Sequence, residues 1–171
     1  SSFGGLGQPQ QPSSEHYENR LAEALDGYRN QQAQQIWLEA ESSSVGCCRI
    51  PKALFQQMQQ APVLDIRRSL DERIDQLVDV YACQDPDELR QATERIQRRL
   101  GPQRTQAALE AIRDRRWRDA CRAMLDYYDR CYDHELKQAR ETSTIDLSGR
   151  NAQDAAIELL NTGRVVPIEA P

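Results

Sequence analysis

A short apolar run that ends in two carboxylates constrains the fold of this chain more than any other feature. Residues 36–38 are Ile, Trp and Leu, and Glu39, Glu41 and Ser42 follow them. The run is too short and too uniformly apolar for an exposed helix, so residues 36–39 predict a buried parallel strand. In α/β nucleotide-binding proteins the carboxyl ends of such strands gather phosphates and magnesium. At least one of the two glutamates is therefore a candidate for a phosphate site. The alternative is that they cap a helix or pair with arginine, and that Ser42 closes a turn.

The partner of this feature, a glycine-rich phosphate loop, is missing. The pattern G-x-x-x-x-G-K-[ST] does not occur in the 171 residues, and the chain begins at Ser1 rather than Met. Leu, Ile, Val and Phe make up roughly a fifth of the chain, near the lower limit for a self-sufficient core. We therefore expect the later part of a phosphate-handling domain whose first part lies upstream.

Strands and helices alternate along the rest of the chain. Residues 63–66 and 143–147 are two further strand candidates, and the long stretch between them carries helical apolar spacing. The alternation predicts an α/β fold with an incomplete, P-loop NTPase-like parallel sheet of about three strands and a large, lid-like helical insertion. The predicted parts are a loop at 1–14, an α/β part at 15–82, a helical insertion at 83–141 and a final strand and helix at 142–171.

Several residues predict where helices begin and end. Ser14 is a candidate cap for a first helix, and Pro51 suits the first turn of another. Ser69 and Glu72 have capping-box spacing, which Asp85 and Glu88 repeat. A helix that runs to residue 100 should stop at the Gly-Pro pair of residues 101 and 102.

Charge is distributed unevenly. The formal net charge is −5, yet residues 89–123 carry ten arginines against four acidic residues. A local arginine field in an acidic protein could serve a polyanion. The alternative is a set of surface arginines that pair with nearby acidic groups, for example Glu94 with Arg98 at i,i+4 spacing.

The five cysteines do not form a recognisable metal or disulfide framework. They lie at 47, 48, 83, 121 and 131, without a C-x-x-C pair. Free thiols in a reducing cytoplasm are the expectation. No apolar run has membrane-spanning length, so a membrane partner is not expected.

Seven stretches in a shared order give the chain a resemblance to a known family. They are residues 1–6, 37–46, 50–55, 70–74, 99–101, 125–129 and 145–149. Together they resemble the carboxyl-terminal P-loop region of bacterial tRNA 2-selenouridine synthase, over nearly the whole chain. Members of that family often carry Arg directly after the Glu-Ser pair, where this chain has Ser43.

The resemblance implies an enzyme that acts on wobble 2-thiouridine in tRNA. Such enzymes join a rhodanese-like domain to a P-loop domain, geranylate the sulfur with geranyl diphosphate, and then introduce selenium from selenophosphate. The rhodanese cysteine and the P-loop would both lie upstream, so the resemblance assigns no catalytic residue and no metal ligand to this chain. It implies tRNA and the upstream part of the same polypeptide as partners, with magnesium as a candidate ion.

Within this frame, the candidate site residues fall into two groups. Glu39, Glu41, Ser42, Arg73, Arg98 and Arg99 are candidates for phosphate or substrate binding, and Arg115, Arg116 and Arg118 for tRNA binding. An arginine can hold phosphate through two parallel hydrogen bonds. Two other functions stay open: a fragment of a small-molecule P-loop kinase, or a helical RNA-binding adaptor without chemistry.

Overall fold

The structure is a computed structural model that describes residues 5–7, 9–40, 42–137 and 141–162. Its elements follow one another along the chain in an order dominated by helices. They are α1 (Ser14–Asn30), β1 (Ser44–Val45), β2 (Cys48–Arg49), α2 (Lys52–Gln60), β3 (Val63–Arg67), α3 (Leu70–Tyr81), α4 (Pro86–Arg95), α5 (Gln97–Leu100), α6 (Pro102–Arg113), α7 (Trp117–Leu136), β4 (Thr142–Asp146) and α8 (Ala152–Thr162). The fold is α/β, with mostly helices and small sheets, one of which is parallel.

The parallel sheet pairs β3 with β4. The register runs from Val63 opposite Thr142 to Arg67 opposite Asp146. The pairing continues beyond β4, where the amide of Leu147 donates to the carbonyl of Arg67 at 2.9 Å. Strands were predicted at residues 63–66 and 143–147, and both predictions are confirmed to within one residue.

The predicted strand at 36–39 is wrong. Residues 35–40 carry no regular secondary structure, and Trp37 is 49% exposed. In the described part of the chain, the parallel sheet therefore has two strands rather than about three. A strand needs a neighbour to accept its backbone hydrogen bonds, and a short apolar run does not specify one.

A small hairpin follows the segment without regular secondary structure. Strands β1 and β2 pair antiparallel around Gly46, which has a φ of 63°. The side chain of Gln11 bridges the turn, since its amide donates to Val45 O at 2.9 Å and its oxygen accepts from Cys47 N at 2.9 Å. The positive φ favours glycine here, and a Cβ at residue 46 would also displace the side-chain amide of Gln11.

Helix boundaries follow the predicted signals closely. Ser69 and Glu72 form a complete capping box at the start of α3, whereas the cap of α1 is Ser13 rather than Ser14. Asp85 caps α4 through the amide of Asp87. The helix predicted to run to residue 100 is interrupted at Ile96, and α6 then begins with a proline.

Most of the core lies in the helical part. Leu89, Ala92, Ile96, Leu100 and Ile112 belong to one buried cluster formed by α4 to α7. A second cluster joins Ile74 of α3 to Cys121 and Leu125 of α7. Helix α3 therefore connects the parallel pair to the helical block, because it starts beside β3 and packs on α7. Among the described residues, no helix is both long and apolar enough to span a membrane.

Candidate functional site

The carboxyl ends of β3 and β4 meet at a network centred on Glu72. One carboxylate oxygen of Glu72 accepts from Arg68 at 3.0 Å and from the amide of Gly149 at 2.8 Å. The other accepts from the hydroxyl of Ser69 at 2.8 Å and from its amide at 3.1 Å. The first turn of α3 is thereby tied to the turn that follows β4.

The acidic groups at this edge are held in their charged form. Hydrogen bonds from Arg68, from the Ser69 hydroxyl and from the Gly149 amide lower the pKa of Glu72 to about 2. Hydrogen bonds from the hydroxyl and the amide of Ser148 lower the pKa of Asp146 below its usual value. Glu72 thus stays ionised and paired with Arg68, and a phosphate that approached the Gly149 amide would have to displace Glu72 from it.

The site residues predicted from the sequence do not include this network. Its local half was visible, because Ser69 and Glu72 have capping-box spacing. Gly149 lies 77 residues from Glu72, so that contact depends on the pairing of β3 with β4.

The residues after the apolar run do not gather at the sheet edge. Glu39 is exposed in a segment without regular secondary structure, and Glu41 lies outside the described residues. The hydroxyl of Ser42 donates to Ser44 O at 2.9 Å, which is a local turn contact. Among the described residues, no three His, Cys, Asp or Glu side chains converge to hold a metal ion.

Arg73 forms a two-point ion pair with Asp129 that joins α3 to α7. Nη1 donates to Oδ2 of Asp129 at 3.1 Å, and Nη2 donates to Oδ1. This geometry is the one by which a guanidinium would hold phosphate. A phosphate at Arg73 would therefore have to compete with Asp129.

Acidic residues outside the arginine-rich window neutralise several of its charges. Arg118 pairs with Asp71 at 3.0 Å and with Asp75, both on α3. Arg122 also reaches Asp71, at 3.4 Å, and Arg104 reaches Asp126 at 2.6 Å. These contacts join helices, so the side chains involved have a structural role.

Other arginines of the window are neutralised locally. Arg116 pairs with Asp119 and, at 3.6 Å, with Asp114, which also pairs with Arg113. Glu94 pairs with Arg90 at 2.8 Å rather than with Arg98.

Four arginines of the window have no acidic partner within the described ranges. They are Arg95, Arg98, Arg99 and Arg115, and all four are exposed. The first three occupy the end of α4 and α5, whereas Arg115 lies in the turn before α7 with a φ of 54°. Exposed cations without a carboxylate partner are those that a polyanion can neutralise most favourably.

Arg99 lies close to an aromatic pair on α7. A hydrogen bond with Cys131 and burial raise the pKa of Tyr127, and the positive charge of Arg99 opposes that rise. The rings of Tyr127 and Tyr128 are 5.3 Å apart in an edge-to-face arrangement. Of the predicted site residues, the structure thus leaves Arg98, Arg99 and Arg115 without ion pairs among the described residues, whereas Arg73, Arg116 and Arg118 are ion-paired.

Comparison with known proteins identifies relatives of the chain. A family model described as the tRNA 2-selenouridine synthase AAA domain matches residues 1–162. The chain is 31% identical over 169 residues to a tRNA 2-selenouridine synthase of Marinobacter nauticus, covering 81% of this chain and 45% of that protein. It is 30% identical over 177 residues to the tRNA 2-selenouridine synthase of Alcanivorax borkumensis, covering 85% and 48%. The chain spans about half the length of these curated relatives. No solved structure matches it.

Proposed function

The chain belongs to the tRNA 2-selenouridine synthase AAA domain family, and on that basis we propose that it is part of an enzyme that converts wobble 2-thiouridine in tRNA to 2-selenouridine. The match over residues 1–162 is the observation that carries this proposal. This part of the enzyme contributes binding of tRNA and of the donor diphosphate. The free cysteines support a reducing, cytoplasmic setting.

The proposed reaction passes through a geranylated intermediate. The sulfur of 2-thiouridine attacks the first carbon of geranyl diphosphate, so that a carbon–sulfur bond forms, a carbon–oxygen bond breaks and diphosphate leaves. The selenium of selenophosphate then attacks C2 of the base, so that a carbon–selenium bond forms, the C2–sulfur bond breaks and geranyl thiol leaves. Hydrolysis of the selenium–phosphorus bond by water releases phosphate and leaves 2-selenouridine. The step that releases diphosphate develops negative charge on the leaving group, and cationic side chains stabilise that charge.

Among the predicted residues, Arg98 and Arg99 are best placed to bind diphosphate. They follow each other on α5, are exposed, and have no acidic partner in the part of the chain that the structure describes. The edge beside Gly149 is less suitable, because Glu72 is ionised there. Glu39, Glu41 and Ser42 stay predictions.

Binding of tRNA is assigned to the exposed arginines without ion pairs. Arg115 is the member of the predicted tRNA-binding group that fits this description, and Arg95 joins it. Arg116 and Arg118 stay predictions, since a phosphate at either would replace an existing ion pair.

The test compares two double variants with the same change in net charge. Arg95→Ala with Arg115→Ala removes two exposed arginines that have no acidic partner among the described residues, whereas Arg90→Ala with Arg113→Ala removes two that pair locally. Each lost phosphate contact reduces the slope of log affinity against log salt by roughly 0.7 to 0.9. The first variant should thus lose about 1.4 to 1.8 in slope, or about 25- to 60-fold in tRNA affinity at 0.1 M salt.

The control variant should retain most of its affinity and slope. Affinity is measured by fluorescence anisotropy with labelled tRNA between 0.05 and 0.3 M salt, on the order of the range where counterion release dominates. Equal losses in the two double variants would show that only net charge matters, and would reject the assignment of tRNA binding to Arg95 and Arg115.

A further inference from the structure

A partly enclosed apolar cavity lies at the boundary between the two core clusters. Its volume is about 230 Å³, and its walls come from α3, α4, α6 and α7. The prominent lining residues are Leu77, Tyr81, Leu89, Trp117, Met124 and Tyr128. Leu77 packs against the cluster around Ile74, whereas Tyr81, Trp117, Met124 and Tyr128 pack against the cluster around Leu89.

The walls of the cavity are poorly suited to water. Apart from tyrosine hydroxyls and the indole N–H of Trp117, the lining side chains are hydrocarbon or sulfur-containing. A buried water needs two to four polar partners, and cavities lined by apolar groups stay dry or take up apolar ligands. Burial raises the pKa of Tyr128 to about 12, which agrees with a surrounding of low polarity.

The volume sets the size of the group that fits. Close-packed interiors contain few voids larger than a water molecule, so a space of about 230 Å³ is unusual for a finished core. An apolar cavity of about 150 Å³ accommodates benzene, with six carbons. By proportion, the cavity accommodates roughly nine or ten carbons, which corresponds to a short chain rather than to a long lipid tail.

Charged groups flank the lining residues on both helices. Arg73 lies one helical turn before Leu77 on α3, and Asp129 directly follows Tyr128 on α7. Tyr132, one turn further along α7, lines the cavity and is 58% exposed, so the cavity opens to the surface there. A ligand with an apolar chain and an anionic head could thus bury the chain and leave the head at the opening beside Tyr132.

We propose that this cavity binds the hydrocarbon chain of the donor, a branched group of about ten carbons, and that it measures chain length. The inference rests on the proposed function, since that function supplies geranyl diphosphate as the donor. The cavity is then a specificity-determining site: a ten-carbon chain fills it, and a fifteen-carbon chain exceeds it.

The test uses binding of geraniol, which has the chain without the diphosphate. Trp117 lines the cavity and is the reporter, after Trp37→Phe has removed the other tryptophan. Saturable quenching or enhancement by geraniol is expected, with at least tenfold weaker binding of the fifteen-carbon alcohol farnesol. Absence of a saturable response, or equal binding of both alcohols, would overturn the proposal.

Variants that fill the cavity give the second arm. Val78→Phe and Ala82→Phe each place a ring in the cavity and should weaken geraniol binding at least tenfold while the melting temperature is retained. Val80 lies on the same helix but is exposed and outside the lining, so Val80→Phe is the matched control and should bind within twofold of the parent. Two variants that fill the cavity are used so that the test still holds if one of them does not fold. Loss of binding in Val80→Phe as large as in the filling variants would contradict the proposal.

Measuring the affinity for inorganic diphosphate distinguishes a failure of this inference from a failure of the proposed function. The variants that fill the cavity should bind diphosphate with an affinity within twofold of that of the parent protein. The double variant Arg98→Ala with Arg99→Ala should bind geraniol as tightly as the parent does. Geraniol binding without diphosphate binding would reject the proposed donor site but keep the apolar cavity, and the reverse result would reject the cavity alone.

Discussion

The ion pair between Arg73 and Asp129 allows a direct test of whether Arg73 binds phosphate. The two side chains are 34% and 37% exposed and form a two-point contact between α3 and α7. A diphosphate at Arg73 must take the guanidinium from Asp129. Replacing Asp129 by Asn removes the competing charge, so diphosphate should bind more tightly to Asp129→Asn.

The expected magnitude follows from the exposure of the pair. Ion pairs at the surface contribute roughly 0.2 to 1 kcal/mol, and the two-point geometry favours the upper end of that range. If removing the competing ion pair makes diphosphate binding more favourable by about 1 kcal/mol, diphosphate should bind about fivefold more tightly. Arg73→Ala should weaken binding at least as much, and Asp129→Asn should then have no further effect in the Arg73→Ala background.

Isothermal titration with inorganic diphosphate measures these affinities. Asp133→Asn is the matched control, because Asp133 lies one turn further along α7 and pairs with Arg67 at 3.3 Å. Both Asn variants remove one negative charge, yet only Asp129→Asn frees Arg73. If the two Asn variants tightened binding equally, or if Arg73→Ala bound diphosphate as well as the parent does, Arg73 would not be a phosphate ligand.

Three further predictions concern stability. The pKa of Glu72 is lowered to about 2 in the folded protein, so the stabilisation from its charged form is fully present above about pH 4.5 and is lost as pH falls towards 2. The difference in melting temperature between the parent and Glu72→Gln should therefore shrink between pH 4.5 and pH 2. A difference that stays constant over this interval would contradict the prediction. Leu100 is 1% exposed and Leu160 is 61% exposed, so Leu100→Ala should cost about 2 to 5 kcal/mol of unfolding free energy and Leu160→Ala less than about 0.5 kcal/mol, as measured by urea titration. Trp37→Ala should lower the free energy of unfolding by less than about 1 kcal/mol because the ring is half exposed. A loss of about 3 to 5 kcal/mol would instead support the predicted buried strand.

Local signals in the sequence were sufficient for much of the secondary structure. The capping box of Ser69 and Glu72 fixed the start of α3, because both groups act within one helical turn. Strands β3 and β4 were recognisable because each is a short run with β-branched residues beside a helix boundary. The sequence therefore predicted the parallel pair and the helices of the block between its strands.

The apolar run at 36–38 shows where such reasoning fails. Its composition is that of a buried strand, but composition carries no information about which backbone accepts its hydrogen bonds. In the structure β3 pairs with β4 over its whole length, while the run lies outside the sheet with its side chains half exposed. The prediction placed Glu39 at a strand end, and without the strand this placement has no support.

The charge of the arginine-rich window could not be evaluated from the window alone. Asp71 and Asp75 precede Arg118 by more than forty residues, yet they neutralise it because α3 packs on α7. The formal excess of six positive charges thus reduces, after ion pairing, to four arginines without partners in the described part of the chain. Four contacts would support a salt slope of roughly 3 for tRNA binding, so a measured slope near 6 would mean that ion-paired arginines exchange their carboxylates for phosphate. Because such exchange would break the contacts between α3 and α7, its cost would weaken tRNA binding, so the melting temperature of the complex should rise less, at a given tRNA concentration, than it does when the four exposed arginines alone bind.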